Sequence, residues 1–470
     1  MRKVEYAILG AGSAGLTALG VIRKRTDDFV IINGGHYGTT CARVGCMPSK
    51  TLIQSANLFH KRSEYDEFGL EGAEAVSVDV TKVMERVRRY RDLFTAGVQS
   101  GTTDTLKPGQ SISGFAKFVA PNRIEVNGEI IEAERIIIAT GSRPVVPTPW
   151  KALGDLLHTS DTIFEQVDLP KSIAVIGLGA IGLEMGQAIS RLGTEVYGFE
   201  MLERIGGLFV SEVNQEAQSL ISNEFPMYLG EAAQLERRGN RVLVKTSKVE
   251  VEVDAVLASL GRRPNIDMLG LEKAGVPLDE KGMPVFDLNT MQIGDQAVFM
   301  AGDVNAYRPI LHEAGYEGKM AALNAVNYPE VTAFRRKAPI GIAFTEPNIG
   351  VFGTCYHELD PEKLVMSTFY LKNNNVRAMV MAEDKGVICL YADKQSKKLV
   401  GGEMVMPHAE HFVHLLAWAV ENEMTVAELM TMPFYHPVLE EVIQSAIEKL
   451  YYAAYEDEER ASSPELTVMQ

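Results

Sequence analysis

The feature that most constrains this chain is a plan it contains twice: an apolar strand, a glycine turn, a helix-compatible stretch and a second apolar strand. In the first copy Val4 to Leu9 runs into Gly10, Gly12 and Gly15, and the second strand is Phe29 to Ile32. In the second copy Ile173 to Ile176 runs into Gly177, Gly179 and Gly182, and the second strand is Glu195 to Phe199. The spacing agrees, since Asn33 follows Gly10 by 23 positions and Glu200 follows Gly177 by 23, each at the end of its second strand. Each copy also closes alike: Ile136-Ile137-Ile138-Ala139-Thr140-Gly141-Ser142-Arg143-Pro144 resembles Val256-Leu257-Ala258-Ser259-Leu260-Gly261-Arg262-Arg263-Pro264. The repeat predicts an α/β fold with two Rossmann-like dinucleotide-binding units.

The copies differ in length. Gly141 follows Gly10 by 131 positions whereas Gly261 follows Gly177 by 84, so the first copy holds an insertion of 47 residues. It takes in the segment of Cys41 and Cys46 and the helical, charged stretch from Thr51 to about Lys107. Beyond Pro264, Val298-Phe299-Met300-Ala301-Gly302-Asp303 reads as another apolar strand that ends in a glycine and an acid. A different composition begins near Lys337: residues 340–405 alternate as in an antiparallel sheet, and Ala409 to Leu450 has helical periodicity. The last stretch, Tyr455 to Gln470, is acidic and poorly patterned, and is expected to be a flexible tail.

Composition narrows the partners. No apolar run reaches the ~18 residues of a membrane span, and the first strand starts so close to Met1 that no leader is expected. Lys and Arg total 46 against 62 Asp and Glu, a net charge of −16 that repels nucleic acid and anionic lipid surfaces. Of the four cysteines only Cys41 and Cys46 lie close together. In a reducing cytoplasm, the expected location, such a pair points to redox chemistry or a metal, and redox is the stronger reading because zinc wants two more ligands at short spacing.

Two glycine fingerprints, each following a strand and opening a helix, imply two dinucleotides with their pyrophosphates at helix N-termini. Glu200 is placed to accept hydrogen bonds from the adenosine ribose and to repel a 2′-phosphate, which selects NAD over NADP. Asn33 is its neutral counterpart in the first copy. On a regular helix Cys41 and Cys46 would be separated by about 7.5 Å of rise, beyond disulfide reach, so a bridge requires distorted backbone, which Gly45 permits. Two buried, unbridged cysteines are the alternative. His408, His411 and His414 fall loosely on one helical face, but a polar stripe on an interface helix explains them, and no metal is assigned.

Cys41-x4-Cys46 with Pro48-Ser49-Lys50, both fingerprints, Ala139-Thr140-Gly141-Ser142, Gly261-Arg262-Arg263-Pro264-Asn265, Gly302-Asp303, and His436-Pro437 with Glu441 together resemble the class I pyridine nucleotide-disulfide oxidoreductases. The resemblance spans about residues 4–450 and is nearest to the dihydrolipoamide dehydrogenases. It implies an FAD-binding domain over 1–148, an NAD-binding domain over 149–271, a central segment over 272–336 that completes the FAD site, and an interface domain over 337–450 that forms a homodimer. The tail takes 451–470.

By the same resemblance Cys46 lies against the flavin and Cys41 exchanges with the substrate sulfur. Lys50 and Glu184 pair near the flavin. Thr40, Ala116, Thr140, Gly141, Gly302, Asp303, His312 and Ala314 match FAD-contacting positions, and Gly261 closes the nucleotide side. His436, oriented by Glu441, is the general acid/base and serves the other subunit. The implied activity is oxidation of a small dithiol, such as a lipoyl group on a carrier domain, with NAD as acceptor. An NADH-dependent reductase of another small disulfide and a redox sensor without turnover stand as alternatives. The chain departs from the family at Ala42-Arg43, at Asn33, where an acid is usual, and at the bulky Phe434-Tyr435 before His436.

Overall fold

The structure is a computed structural model that describes residues 1–457 and 459–460. Its first sheet forms around β1 (Arg2–Leu9), whose Ala7-Ile8-Leu9 run is fully buried, as a parallel strand covered on both faces must be. β1 pairs in parallel with β2 (Phe29–Asn33) and β6 (Glu129–Ile138). β3 (Ser111–Ser113) lies beyond β2, and β17 (Val298–Met300) pairs in parallel with β6. β4 (Lys117–Ala120) and β5 (Arg123–Val126) extend β6 as an antiparallel meander. α1 (Ser13–Ile22) links β1 to β2 and packs against α8 (Leu311–Asn327). Gly318 allows that approach, since a Cβ there would lie 2.2 Å from the Ala14 carbonyl oxygen.

The second sheet repeats the plan in all-parallel form: β11 (Met227–Leu229), β10 (Glu195–Glu200), β9 (Ser172–Ile176), β15 (Ala255–Ala258) and β8 (Leu157–His158), in that order. α6 (Ala180–Arg191) follows β9, while α5 (Ser160–Ile163) and α7 (Ser211–Ile221) flank the sheet. β12 (Gln234–Arg238), β13 (Arg241–Lys245) and β14 (Glu250–Val253) make a small antiparallel sheet beside it. The closing turns of the two copies pair with each other, β7 (Ser142–Pro144) antiparallel to β16 (Arg262–Pro264).

The C-terminal sheet is antiparallel, in the order β18 (Ile340–Ala343), β19 (Asn348–Gly353), β22 (Leu399–Met406), β21 (Val387–Asp393), β20 (Leu364–Tyr370). Its period-two pattern divides two cores. Ile388, Leu390, Ala392, Met404 and Met406 pack under α10 (Ala409–Glu421), α11 (Val426–Met430) and α12 (Glu441–Ala454). Val387, Cys389, Tyr391 and Val405 face the second unit instead, against Leu208, Val213 and Ala217. The short α9 (Val376–Val380) connects β20 to β21.

Three details differ from the sequence reading. The insertion folds as α2 (Thr40–Val44), α3 (Cys46–His60) and α4 (Val80–Gly101), and Leu52, Ile53, Ala56, Met84 and Val87 join the core of the second unit with Val175, Leu183 and Ile189. Leu269 and Leu271, given above to the second unit, pack into the first around β6, because the chain leaves the second sheet after β15. The last helix runs on to Ala454, since Leu450, Tyr451 and Ala454 are buried. Most of the expected tail, Glu458 and residues 461–470, lies outside the described residues. No helix among the described residues is long and apolar enough to cross a membrane.

Candidate functional site

Both glycine turns are shaped for a pyrophosphate. Gly10 (φ +111°) and Gly177 (φ +95°) pass so close to the neighbouring strand that a Cβ would lie 2.2 Å from the Ala139 oxygen and 2.6 Å from the Ser259 oxygen, respectively. At Gly15 and Gly182 a Cβ would come within 1.9 Å of Gly10 O and Gly177 O, so these glycines set the close helix–strand packing. The middle glycines are the reverse: Gly12 and Gly179 have no neighbouring atom within 4 Å of the Cβ position. Each caps a helix that has no side-chain cap, so first-turn amides open onto a cradle that a side chain would fill. Two dinucleotides fit these two cradles.

At the ribose positions, the Glu200 carboxylate accepts from the Leu178 N–H (2.8 Å) and the Leu202 N–H (3.0 Å). Asn33 Oδ1 accepts from the Ala11 N–H (3.1 Å), and its Nδ2 donates to the carbonyls of Gly35 (3.1 Å) and His36 (3.3 Å). Around the first cradle Thr140 and Gly141 are fixed by Asn265, which donates to Thr140 O (3.0 Å) and to Gly141 O (2.9 Å) and accepts from Thr140 Oγ1 (2.9 Å). Asp303 accepts from Ser142 Oγ at 2.7 Å, and Gly302 N donates to the buried Glu317 at 2.8 Å. Ala116 and Ala314 are buried, Thr40 and His312 exposed, and Gly261 (φ +87°) turns the chain between β15 and β16. Ser142, Arg262 and Asn265 are site-shaping residues that sequence reasoning left unassigned. Their signal was present in the duplicated closing motif.

The cysteine segment owes its geometry to two backbone positions. Thr39 (φ +66°) caps α2, its Oγ1 accepting from the Ala42 N–H at 3.2 Å. Gly45 (φ −125°, ψ −118°) then breaks the helix, and its Cα packs on the first turn so that a Cβ would lie 3.1 Å from Thr40 O and 3.3 Å from Cys41 Cα. The break folds Cys46 back beside Cys41, and the two thiols are hydrogen-bonded. A hydrogen bond donated by the Cys41 thiol, the Lys50 charge and its own backbone amide bring Cys46 down to about 6, against opposing effects of burial and Glu184. The same hydrogen bond, with burial and the Cys46 charge, pushes Cys41 well above the ordinary thiol range. Arg43 is not among the charges that act most on either sulfur. It is half-buried, and its guanidinium has no hydrogen bond, ion pair or ring contact with any described residue.

Lys50, one turn beyond Cys46 on α3, donates to Glu184 Oε2 at 2.7 Å and lies 4.4 Å above the Phe344 ring. Glu184, on α6, is buried, and its other oxygen accepts from the Phe344 N–H at 2.9 Å. His436 and Glu441 pair elsewhere: Nδ1 and Oε1 are 2.9 Å apart, and the Val438 N–H donates to Oε2 at 3.1 Å. These two hydrogen bonds hold the Glu441 carboxyl below its ordinary value. His436 is exposed and Glu441 half-buried, and no hydrogen bond or ion pair joins the dyad to the cysteines of the same chain among the described residues. Phe434 turns into the C-terminal core and Tyr435 outward, at 79% exposure.

The histidine stripe is not a helical face. His408 (φ +56°) precedes α10 as its N-cap and reaches Glu383 at 3.5 Å, because the helix begins only at Ala409. Among the described residues no three His, Cys, Asp or Glu side chains gather as a metal site would need.

A family model described as pyridine nucleotide-disulphide oxidoreductase matches residues 4–327, and one for the dimerisation domain of the same proteins matches residues 340–447. The chain is 28% identical over 465 residues to the dihydrolipoyl dehydrogenase of Geobacillus stearothermophilus, covering 95% of this chain and 96% of that protein. It is 30% identical over 436 residues to the mercuric reductase of Bacillus cereus, covering 90% of this chain and 68% of that protein. Among solved structures, LpdA of Mycobacterium tuberculosis superposes with a TM-score of 0.82 at 23% identity, covering 96% of this chain and 100% of that one. The HOCl-induced flavoprotein disulfide reductase RclA of Escherichia coli gives 0.81 at 20% identity, covering 94% and 99%. At these identities the two structures speak for the fold.

Proposed function

The chain belongs to the pyridine nucleotide-disulphide oxidoreductase family, and from that membership and the geometry of its cysteines we propose that it is a cytoplasmic dihydrolipoyl dehydrogenase-type enzyme, oxidising a small dithiol with NAD as final acceptor. The carrying observation is the asymmetry of the thiol pair, with Cys46 drawn down to about 6 and Cys41 pushed up. Bound FAD supplies the two-electron relay between the reduced cysteines and the nicotinamide. Around it Gly12, Gly179 and their helix N-termini bind the two pyrophosphates, Asp303 and Thr140 line the flavin side, and Glu200 takes the NAD ribose.

The proton and sulfur steps fall to the chain's own residues. His436, oriented by Glu441, takes the proton from the first substrate thiol. That sulfur attacks Cys41 in the Cys41–Cys46 disulfide, and Cys46, the more acidic sulfur, leaves as thiolate beside Lys50. The second substrate thiol attacks the mixed disulfide, the oxidised substrate departs as a disulfide, and its proton stays on Cys41. Because His436 is exposed and unlinked to its own cysteines, the dyad acts in trans across a homodimer, a reading supported by the match to a dimerisation domain.

One observation favours a second reading, an NADH-dependent reductase of a different, anionic disulfide: the unpaired Arg43 guanidinium between the two cysteines. Steady-state assays separate the two. Dihydrolipoamide with NAD should give the highest kcat/KM in a panel that includes NADH with lipoamide, glutathione disulfide and coenzyme A disulfide. A carboxylate- or phosphate-bearing disulfide outperforming lipoamide overturns the first reading.

A further inference from the structure

α6 carries four polar residues, and three of them, Glu184, Gln187 and Arg191, fall on one face by their spacing of three and four. All three are buried, at 5%, 2% and 8% exposure. A buried guanidinium is tolerated only when its donors are matched, and here each is used. Nε and Nη2 form a fork on Glu224 at 2.8 and 2.5 Å, while Nη1 reaches Glu346 Oε2 at 2.6 Å and Asn57 Oδ1 at 2.9 Å. Gln187 completes the cluster, donating to Glu224 (2.8 Å) and to Glu346 O (2.9 Å) and accepting from the Glu346 N–H (2.8 Å).

The partners show a register. On α3, Lys50 meets Glu184 and Asn57 meets Arg191, so two residues seven apart on the cysteine helix are tied to two residues seven apart on α6. The segment from Phe344 to Glu346 is held against the same face, Phe344 N by Glu184 and Glu346 by Arg191 and Gln187. The Lys50–Glu184 pair is thus the active-site end of a two-point attachment whose other end is Arg191.

We infer that Arg191 is a positioning residue for the redox thiols: by fixing α6 in register on α3 it keeps Glu184 on Lys50, and through that pair keeps the ammonium group beside Cys46. Only one bond of the attachment touches the reacting groups, and the Lys50 stem, about one third exposed, is free to swing into solvent once Glu184 shifts. The sulfur then loses the cation that acts most on it. The inference rests on the reading of Cys46 as the acidic thiol and is indifferent to the substrate.

The test is the pH profile of Cys46 alkylation by iodoacetamide in dithiothreitol-reduced holoenzyme, followed by peptide mass spectrometry. Wild type comes first: a midpoint at the ordinary thiol value would refute the acidic-thiol reading itself, whatever the variants do. Given an acidic wild-type midpoint, Arg191→Lys keeps the charge but loses the fork, and Asn57→Ala removes only the link to α3 while leaving Glu224 and Glu346 paired. Both should raise the midpoint, slowing alkylation at pH 5 about threefold or more, the effect of half a pKa unit below the midpoint, with little change at pH 9. Folded variants with the wild-type profile overturn the role of Arg191. Asn57→Ala keeps the question answerable should Arg191→Lys fail to fold.

Discussion

Glu200 and Asn33 do the same structural work in the two halves of the chain: each ends the second strand of its unit, and each accepts the amide of the residue just after the first glycine, Leu178 in one half and Ala11 in the other. The difference is charge. On the proposed reading the Glu200 carboxylate faces the 2′ position of bound NAD, and a 2′-phosphate there would cost about 1 to 3 kcal/mol, roughly 5- to 150-fold in binding. NADH should therefore exceed NADPH in kcat/KM by a factor in that range, and Glu200→Gln should narrow the gap. Equal values for the two nucleotides in the native enzyme would remove the assignment.

Asn33 holds its turn from both ends of its amide, to Ala11 N on one side and to Gly35 O and His36 O on the other. Asn33→Ala leaves the N–H of Ala11, a buried residue, without its acceptor, a loss of about 1 to 3 kcal/mol. The variant should release flavin faster on gel filtration, seen as free flavin fluorescence. Retention equal to wild type would mean that Asn33 does not support the cradle.

Cys46 sets a pH dependence of stability in the reduced protein. Its folded pKa, about 6, lies below the value of about 8.5 for a thiol in an unfolded chain. The unfolded chain binds the extra proton between those values, so the stabilisation is complete above the upper one and is lost as pH falls through about 6. Urea unfolding of dithiothreitol-reduced enzyme should show stability rising across that window, and Cys46→Ser should flatten the rise. Parallel curves for the two proteins would contradict the assignment of the acidic thiol.

On the proposed reading, His436 and the cysteines of one chain serve different sites. Neither His436→Gln nor Cys41→Ser should turn over alone, but random re-pairing of the two should restore about a quarter of wild-type activity, half the dimers being mixed and each holding one intact site. No recovery after subunit exchange verified by native mass spectrometry would show that each site is completed within one chain.

Arg43 should act on substrates and not on the disulfide. Lys50, not Arg43, ranks among the main charges on both sulfurs. Arg43→Asn should move the midpoint potential by less than about 10 mV, well under the 30 mV that corresponds to 1.4 kcal/mol, while lowering kcat/KM toward carboxylate-bearing disulfides. A shift of tens of millivolts in a redox titration would place the guanidinium at the sulfurs after all.

What could be read from the sequence was whatever repeats or depends on backbone. Gly10 and Gly177, the closing strands and the 23-residue spacing to Asn33 and Glu200 are local features, and the structure reproduces their geometry in both halves. Gly45 was legible as a break because a regular helix would hold the two sulfurs apart. Tertiary contacts were not legible. Leu52 and Met84 belong to the first copy by sequence but complete the core of the second unit, and no periodicity says which neighbour an apolar face will meet. His408 matched helical spacing, yet its left-handed backbone lies before the first helical residue. Nothing local marks Arg191 out: its partners Glu224, Glu346 and Asn57 come to it from three distant stretches of chain.

The pairing of β7 with β16 bears on how far the two halves can be treated as interchangeable parts. Arg262, on the closing turn of the second half, donates to the Ser142 carbonyl and hydroxyl at 2.8 Å each, and that hydroxyl in turn holds Asp303 in the first half. A side chain that belongs to one nucleotide site by sequence thus stands two hydrogen bonds from an acid of the other. An engineer who replaced the second half through Asn265 to change nucleotide preference would disturb the Ser142–Asp303 contact of the first half as well. The transplantable piece has to end before Arg262, or bring an arginine of its own to that turn.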